Sequence, residues 1–175
     1  GTRVATLDLG GSLGLNGILP DVFGNFIDMR ALTVVCSSTS LQGSIPPSIG
    51  SLPLLETLTM HGCHWTGSVA FLSSLTTLKE INLCDTHISG EIPDLSASTN
   101  LVQIIMKNNP GWGGTKIPTS LATLPKLQVI QLYENNLVGP LPAFVSTDLT
   151  VIKLYRNKLT GPIPTSYGYY SNLAS

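Results

Sequence analysis

Charged side chains are scarce in this sequence. They make up 11% of the 175 residues, where an ordinary soluble domain has about a quarter. Hydrophobic residues make up 42%, which is enough to build a core and excludes a disordered chain. No apolar run approaches the ~18 residues of a membrane-spanning helix, so we expect no membrane span in this segment. The net charge of −1 gives no indication of a nucleic-acid partner.

Cysteine is also rare. Cys36, Cys63 and Cys84 cannot all pair within one chain, and their separations fit no zinc or redox motif. We therefore predict that no disulfide staples the fold and that Cys36 and Cys63 are buried free thiols. The sequence has no Asn-x-Ser/Thr site for N-glycosylation. Its first residues lack the basic and apolar regions of a signal peptide.

The sequence is rich in an internal repeat. Six segments share the order apolar, any residue, Gly, any residue, apolar, usually followed by Pro: LNGILP (15–20), LQGSIP (41–46), WTGSVA (65–70), ISGEIP (88–93), LVGPLP (137–142) and LTGPIP (159–164). A looser copy ends in GTKIP (114–118). The copies recur every 22 to 26 residues. Each follows a pattern of the form L-x-x-L-x-x-L-x-L-x-x-N, which is typical of leucine-rich repeats.

The joined pattern, L-x-L-x-x-N-x-L-x-G-x-I-P, resembles the plant-type leucine-rich repeats of receptor-kinase ectodomains and polygalacturonase-inhibiting proteins. The resemblance covers essentially the whole chain. It implies an α/β-type solenoid, a right-handed superhelix of about seven ~24-residue repeats. A parallel sheet would form the concave face, and 3₁₀ turns the convex side. We predict a single domain over residues 1–175, a fragment without its terminal caps, because the chain ends inside what would be an eighth copy.

The L-x-L pairs indicate short strands whose two apolar side chains point into the core. In the irregular second repeat we take Val34 and Cys36 as this pair, which places Val35 on the concave face. The fifth repeat has two extra residues, and we expect them to bulge outward with Trp112. The resemblance implies an inward column whose side chains bond the backbone of neighbouring repeats, formed by Ser12, Thr39, Cys63, Thr86, Asn109, Asn135 and Asn157.

The concave face carries the candidate binding residues. Tyr133 and Tyr155 are predicted neighbours in one column, and tyrosine beside arginine is typical of interface hot spots. Residues 1–100 carry a net charge of −5 and residues 101–175 of +4, so this end favours an acidic partner. The predicted binding set is Lys107, Gln131, Tyr133, Glu134, Lys153, Tyr155, Arg156 and Lys158, with His61, His64, Asp85 and His87 from earlier repeats.

The three histidines lie in adjacent repeats beside Cys84 and Asp85. These residue types bind zinc, but parallel strands arrange side chains in rows rather than tetrahedrally. We therefore predict no dedicated metal site. A contact surface that responds to pH is the favoured interpretation, because histidine titrates near neutrality.

No catalytic chemistry is predicted. Residues 10–14 match G-x-S-x-G, but this motif needs a strand before it and a helix after it in a larger sheet. No phosphate loop or dinucleotide motif occurs, so we expect neither an enzyme nor a cofactor.

The leading hypothesis is a recognition module that binds a protein, peptide or glycan, extracellular or at the cell surface, as part of a receptor. The alternatives are a secreted inhibitor of cell-wall-degrading hydrolases, a structural cell-wall or surface-layer protein, and an intracellular scaffold. End-to-end stacking or flanking repeats would cover the open ends of the solenoid. An ice-binding surface is disfavoured, since the threonines form no regular array.

Overall fold

A computed structural model describes residues 4–11, 15–36 and 41–170. Most of the repeats contribute one short strand to a main sheet and a second one to an outer layer. The strands of the described residues are β1 (Thr6–Asp8), β2 (Ala31–Val35), β3 (Gln42–Ser44), β4 (Thr57–His61), β5 (His64–Gly67), β6 (Glu80–Asn82), β7 (His87–Ile88), β8 (Gln103–Ile105), β9 (Val129–Gln131), β10 (Val138–Pro140), β11 (Val151–Lys153) and β12 (Lys158–Thr160).

The main sheet is parallel and has the order β1-β2-β4-β6-β8-β9-β11. Its register aligns the inward apolar residues of successive repeats, so that Ile81 lies opposite Ile104 and Ile104 opposite Ile130. All three are fully buried. Each repeat thus covers the apolar side chains of its neighbour, as a solenoid requires. The predicted leucine-rich repeat solenoid is confirmed.

The register predicted for the second repeat is wrong by two residues. Leu32 pairs with Leu58, and Val34 pairs with Met60. Leu32 and Val34 are therefore the inward pair, and both are fully buried. Thr33, rather than Val35, occupies the central position on the solvent face. Leu32, Val34 and Cys36 all alternate along the chain, so period-two spacing alone could not distinguish the two registers.

The outer layer holds two small parallel sheets, one of order β3-β5-β7 and one of β10 with β12. The signature glycines, which lie within or beside the strands of the outer layer, adopt φ of 78 to 94°, a conformation that glycine tolerates without strain. Short helices follow them: 3₁₀ turns at Phe23–Asn25, Pro47–Ser51, Ala70–Ser74, Pro110–Trp112 and Thr165–Tyr169, and one α-helical turn, α1, at Thr119–Ala122. Element α1 is α-helical, whereas we expected only 3₁₀ turns on the convex side. No helix among the described residues has the length and apolar character that crossing a bilayer requires.

Trp112 does not bulge outward as expected. Its side chain is fully buried, and the 3₁₀ turn that carries it packs against β7. Gly111 permits this approach, because a Cβ atom there would lie 2.4 Å from the carbonyl oxygen of Ile88. The fifth repeat therefore directs the Trp112 side chain inward, while Gly111, Gly113 and Gly114 around it stay exposed. This segment interrupts the outer layer between β7 and β10.

Asparagine side chains connect the later repeats through the inward column. The Asn135 amide donates to the carbonyl oxygens of Met106 and Leu132, both at 2.8 Å. Its Oδ1 accepts the backbone N–H of Asn109 at 2.6 Å. Asn157 repeats the arrangement by donating to the Leu132 carbonyl oxygen at 2.8 Å. Ser12 and Thr39 of the predicted column lie outside the described residues.

The prediction for two of the three cysteines is wrong. Cys36 and Cys63 form a disulfide with a Cα–Cα distance of 5.0 Å. Adjacent strands lie about 4.8 Å apart, which is within the range that a disulfide spans. Gly62 adopts φ of 71°, and a Cβ there would lie 2.4 Å from the Cys36 carbonyl oxygen. Cys84 remains a buried free thiol.

The outermost described repeats expose part of the core pattern. Leu15 is 39% exposed and Ile163 71% exposed, whereas Ile88 and Ile92, at the same two repeat positions, are 0% and 4% exposed. The difference arises because an inner repeat has described repeats on both sides, whereas an outermost one has a described neighbour on one side only. This agrees with solenoid packing, in which each repeat contacts only its neighbours.

Candidate functional site

The solvent face of the main sheet brings the predicted tyrosines together at the ends of β9 and β11. Gln131 pairs with Lys153. Tyr133 and Tyr155, each two residues further along its chain segment, are therefore placed side by side. We call this region the tyrosine surface. It consists of Gln131, Tyr133, Glu134, Lys153, Tyr155 and Arg156, with Asp85 and Lys107 from the two preceding repeats.

Tyr133 and Tyr155 stack with ring centroids 4.4 Å apart and an interplanar angle of 13°. This is close to one strand spacing, so the sheet itself sets the stack. The ammonium group of Lys107 lies 5.7 Å from the centre of the Tyr133 ring, within reach of a cation–π interaction. Tyr155, at the other end of the stack, is 53% exposed. Its free surface is thus the aromatic area available to a partner.

The residue that follows the repeat position of Tyr133 and Tyr155 adopts a left-handed backbone conformation. The φ angles are 57° at Asp85, 56° at Asn108, 62° at Glu134 and 53° at Arg156. Such a conformation costs a non-glycine residue about 1–2 kcal/mol. The same turn recurs in four consecutive repeats, so these side chains form a second column beside the tyrosines.

The two carboxylates of this second column, Asp85 and Glu134, each form an ion pair with a cation of the next repeat. The Lys107 ammonium donates to Asp85 Oδ2 at 2.7 Å, and Asn108 Nδ2 donates to Asp85 Oδ1 at 3.0 Å. The Arg156 guanidinium donates to the Glu134 carboxylate. Two of the cations predicted to attract a partner are therefore already neutralised by carboxylates of this surface.

The pKa shifts have the directions that these pairs require. Burial by itself would raise the pKa of Asp85, but the hydrogen bonds from Lys107 and Asn108 outweigh it and lower the pKa. Partial burial opposes the charge on Lys107, yet the Asp85 carboxylate raises its pKa. Desolvation raises the pKa of Tyr133. The pKa of Arg156 is raised by the hydrogen bond to Glu134. The Asp85 carboxylate and the Lys107 and Arg156 cations thus remain charged at neutral pH.

The other two predicted cations lie in different places. Lys153 ends β11, on the solvent face of the main sheet, where it has no ion-pair partner among the described residues. Lys158 begins β12 and therefore belongs to the outer layer. The unpaired positive charge of the tyrosine surface is consequently that of Lys153, with Lys158 at its border.

The histidine cluster is divided between the two layers. His61 ends β4 in the main sheet, while His64 and His87 begin β5 and β7 in the outer layer. Cys84 is 6% exposed, and burial, followed by its contact with Asp85, raises its pKa to about 12. The described ranges contain no group of three or more His, Cys, Asp or Glu side chains arranged to hold a metal ion.

Known proteins show the same repeat architecture. No family model matches the chain. The receptor-like kinase TMK4 of Arabidopsis thaliana is 35% identical over 106 residues, which are 60% of this chain and 11% of that protein. The ectodomain of the Arabidopsis thaliana receptor kinase GASSHO1/SCHENGEN3 is 31% identical with a TM-score of 0.87, over 98% of this chain and 20% of that one.

The chain is a leucine-rich repeat domain similar to those of plant receptors. A further solved structure of this kind is the Arabidopsis receptor kinase HAESA, in complex with a peptide hormone ligand. It is 28% identical with a TM-score of 0.80, over 91% of this chain and 27% of that one. The chain spans only 11 to 15% of the length of TMK4 and of receptor-like protein 39. The matched parts of these receptors are leucine-rich repeats rather than kinase domains.

Proposed function

We propose that this leucine-rich repeat domain recognises an extended peptide on the solvent face of its main sheet, with the tyrosine surface as the anchor. The observation that carries the proposal is the stack of Tyr133 on Tyr155, which leaves Tyr155 53% exposed. A stacked, cation-capped aromatic pair offers rigid apolar area that costs little entropy to immobilise. Residues of this kind dominate the energetics of interfaces.

The charges of the surface favour a particular peptide. Lys107 and Arg156 are paired with Asp85 and Glu134, so they add shape and hydrogen-bonding capacity but little net field. Lys153 is the unpaired cation beside the stack. A peptide with an apolar or aromatic side chain for Tyr155 and a single acidic group for Lys153 fits this arrangement better than a highly acidic one.

The similarity to HAESA, which has a peptide hormone ligand, supports a peptide over a glycan. The similarity to TMK4 and to GASSHO1/SCHENGEN3 supports a place in the ectodomain of a plant cell-surface receptor. We assign no catalytic role to these residues, because their ion pairs and aromatic contacts serve binding rather than bond breaking.

The double variant Tyr155→Ala with Arg156→Ala is expected to weaken peptide binding by about 2 kcal/mol or more, the scale of a hot-spot loss. This corresponds to about 30-fold in Kd. Peptides selected from a random displayed library on the unmodified domain provide the probe, and calorimetric titration measures their affinity. The thermal midpoint should change little, since both side chains lie on the surface.

Thr33→Ala with Thr59→Ala is the matched control, because these residues lie on the solvent face of β2 and β4. A larger loss of affinity from the threonine pair would place the site at the opposite end of the sheet. Failure to select any saturable peptide would contradict the proposed ligand class.

A further inference from the structure

Two histidines of the outer layer stand close together on the side of that layer that faces solvent. In β5, His64 and Thr66 are exposed while Trp65 between them is fully buried. In β7, His87 is exposed and Ile88 is buried. The pairing of Thr66 with His87 brings the two strands together on this side. The imidazole rings of His64 and His87 consequently lie with their centroids 4.9 Å apart.

This separation suits coordination of one ion by both rings. Two imidazoles bound to a tetrahedral ion through nitrogens about 2.0–2.1 Å from it have centroids about 5 Å apart. We propose that His64 and His87 form a two-imidazole binding site for a divalent transition-metal ion. The site is separate from the tyrosine surface, and it does not depend on the proposed peptide recognition.

The backbone of both strands is fixed immediately before each histidine. Cys63, which precedes His64, is held by the disulfide to Cys36. Thr86, which precedes His87, is buried, and its hydroxyl bonds the Asn109 side chain. Both attachments belong to the inward column, so the two imidazoles extend from anchored positions. A preformed pair of ligands loses less conformational entropy when it binds an ion.

The chemistry of the pair selects the ion. Imidazole nitrogens suit Cu²⁺, Ni²⁺ and Zn²⁺, whereas Mg²⁺ and Ca²⁺ require oxygen ligands. Affinities at a nitrogen site follow the order in which Cu²⁺ exceeds both Ni²⁺ and Zn²⁺. The described residues supply no third His, Cys, Asp or Glu ligand. The remaining coordination positions of the ion are therefore open to solvent or to a donor from a partner.

The test is calorimetric titration of the untagged domain with Cu²⁺, Zn²⁺ and Mg²⁺. We expect saturable binding of one ion per chain for Cu²⁺ and more weakly for Zn²⁺, and none for Mg²⁺. His64→Gln and His87→Gln should each weaken Cu²⁺ binding by about tenfold or more, because changing even an outer-shell partner of a metal ligand costs about 10- to 100-fold in affinity. All variants are first compared by circular dichroism, and the exposed positions of both side chains predict unchanged folding.

His61→Gln is the matched control, because it removes the one other histidine of the chain from the main sheet rather than from the outer layer. It should leave the affinity for Cu²⁺ unchanged. A loss of binding in His61→Gln equal to that in His64→Gln would overturn the assignment and move the ion to the main sheet. The absence of saturable Cu²⁺ binding in the unmodified domain would overturn it as well.

Discussion

Reduction of the Cys36–Cys63 disulfide is expected to lower the free energy of unfolding by about 3.5 kcal/mol. The disulfide joins residues 27 apart in sequence, and opening a loop of this size returns that much conformational entropy to the unfolded chain. For a domain of this length the change corresponds to a fall of about 10 °C in the thermal midpoint. Denaturation with and without reductant measures it.

The disulfide also has a second, local role. Cys63 stands where later repeats place an asparagine, and the asparagines connect adjacent repeats by hydrogen bonds to backbone carbonyls. A thiol is a weak donor and cannot replace these bonds. Reduction therefore removes the covalent connection that Cys63 makes to the preceding repeat, and the loss of stability should concentrate in the early repeats.

The double variant Cys36→Ala with Cys63→Ala is the control for reduction. It should show the same loss of stability as the reduced protein and no further response to reductant. Thiol titration should detect one free thiol per unfolded chain before reduction, that of Cys84, and three afterwards. Melting curves that coincide while the thiol count rises from one to three would contradict a stabilising role for the disulfide.

The disulfide shows where reasoning from sequence stopped. Three cysteines were interpreted by their separations along the chain, and in a solenoid that measure misleads. Residues one repeat apart are distant in sequence but lie a single strand spacing apart in space. Cys36 and Cys63, 27 residues apart, satisfy this relation. The repeat period near 24 residues was therefore the signal that cysteines of adjacent repeats can pair, but it fits Cys63 with Cys84, 21 residues apart, as well as it fits Cys36 with Cys63.

Trp112 illustrates a related limit. The two inserted residues indicated a bulge, and bulges usually point to solvent. The size and apolar character of the indole ring favour burial instead, and Gly111 lets the turn approach Ile88 closely enough to achieve it. Local spacing predicted the interruption of the repeat, but not the direction in which the interruption would fold.

The candidate site was predictable in its aromatic part and not in its charges. The repeat alone places Tyr133 beside Tyr155, since residues at the same repeat position follow the strand spacing. Whether Lys107 and Arg156 are free depends on the left-handed turns at Asp85 and Glu134, which set where the carboxylates lie. Those turns are a feature of the folded chain that residue type does not determine, so the pairing emerged only from the structure.

Asn135→Leu is expected to lower the free energy of unfolding by about 2 kcal/mol. Leucine has nearly the shape of asparagine but no polar atoms. The substitution removes one of two side-chain donors from each of the carbonyl oxygens of Met106 and Leu132, which keep their bonds from Asn109 and Asn157. It leaves the N–H of Asn109 without its acceptor. Asn135 is fully buried, so water cannot replace these partners. Each buried polar group left unpaired costs about 1–3 kcal/mol.

Asn100→Leu is the matched control for this change. Asn100 is exposed and accepts a hydrogen bond from Lys126 at the surface, so the same substitution there should cost under about 0.5 kcal/mol. Asn136 is a poorer control, because it adopts φ of 57° and leucine would add strain of about 1 kcal/mol. Chemical denaturation of the two variants decides the matter. Equal losses at positions 135 and 100 would mean that the buried amide of Asn135 contributes nothing beyond its volume, and that the repeats are held together by their apolar core alone.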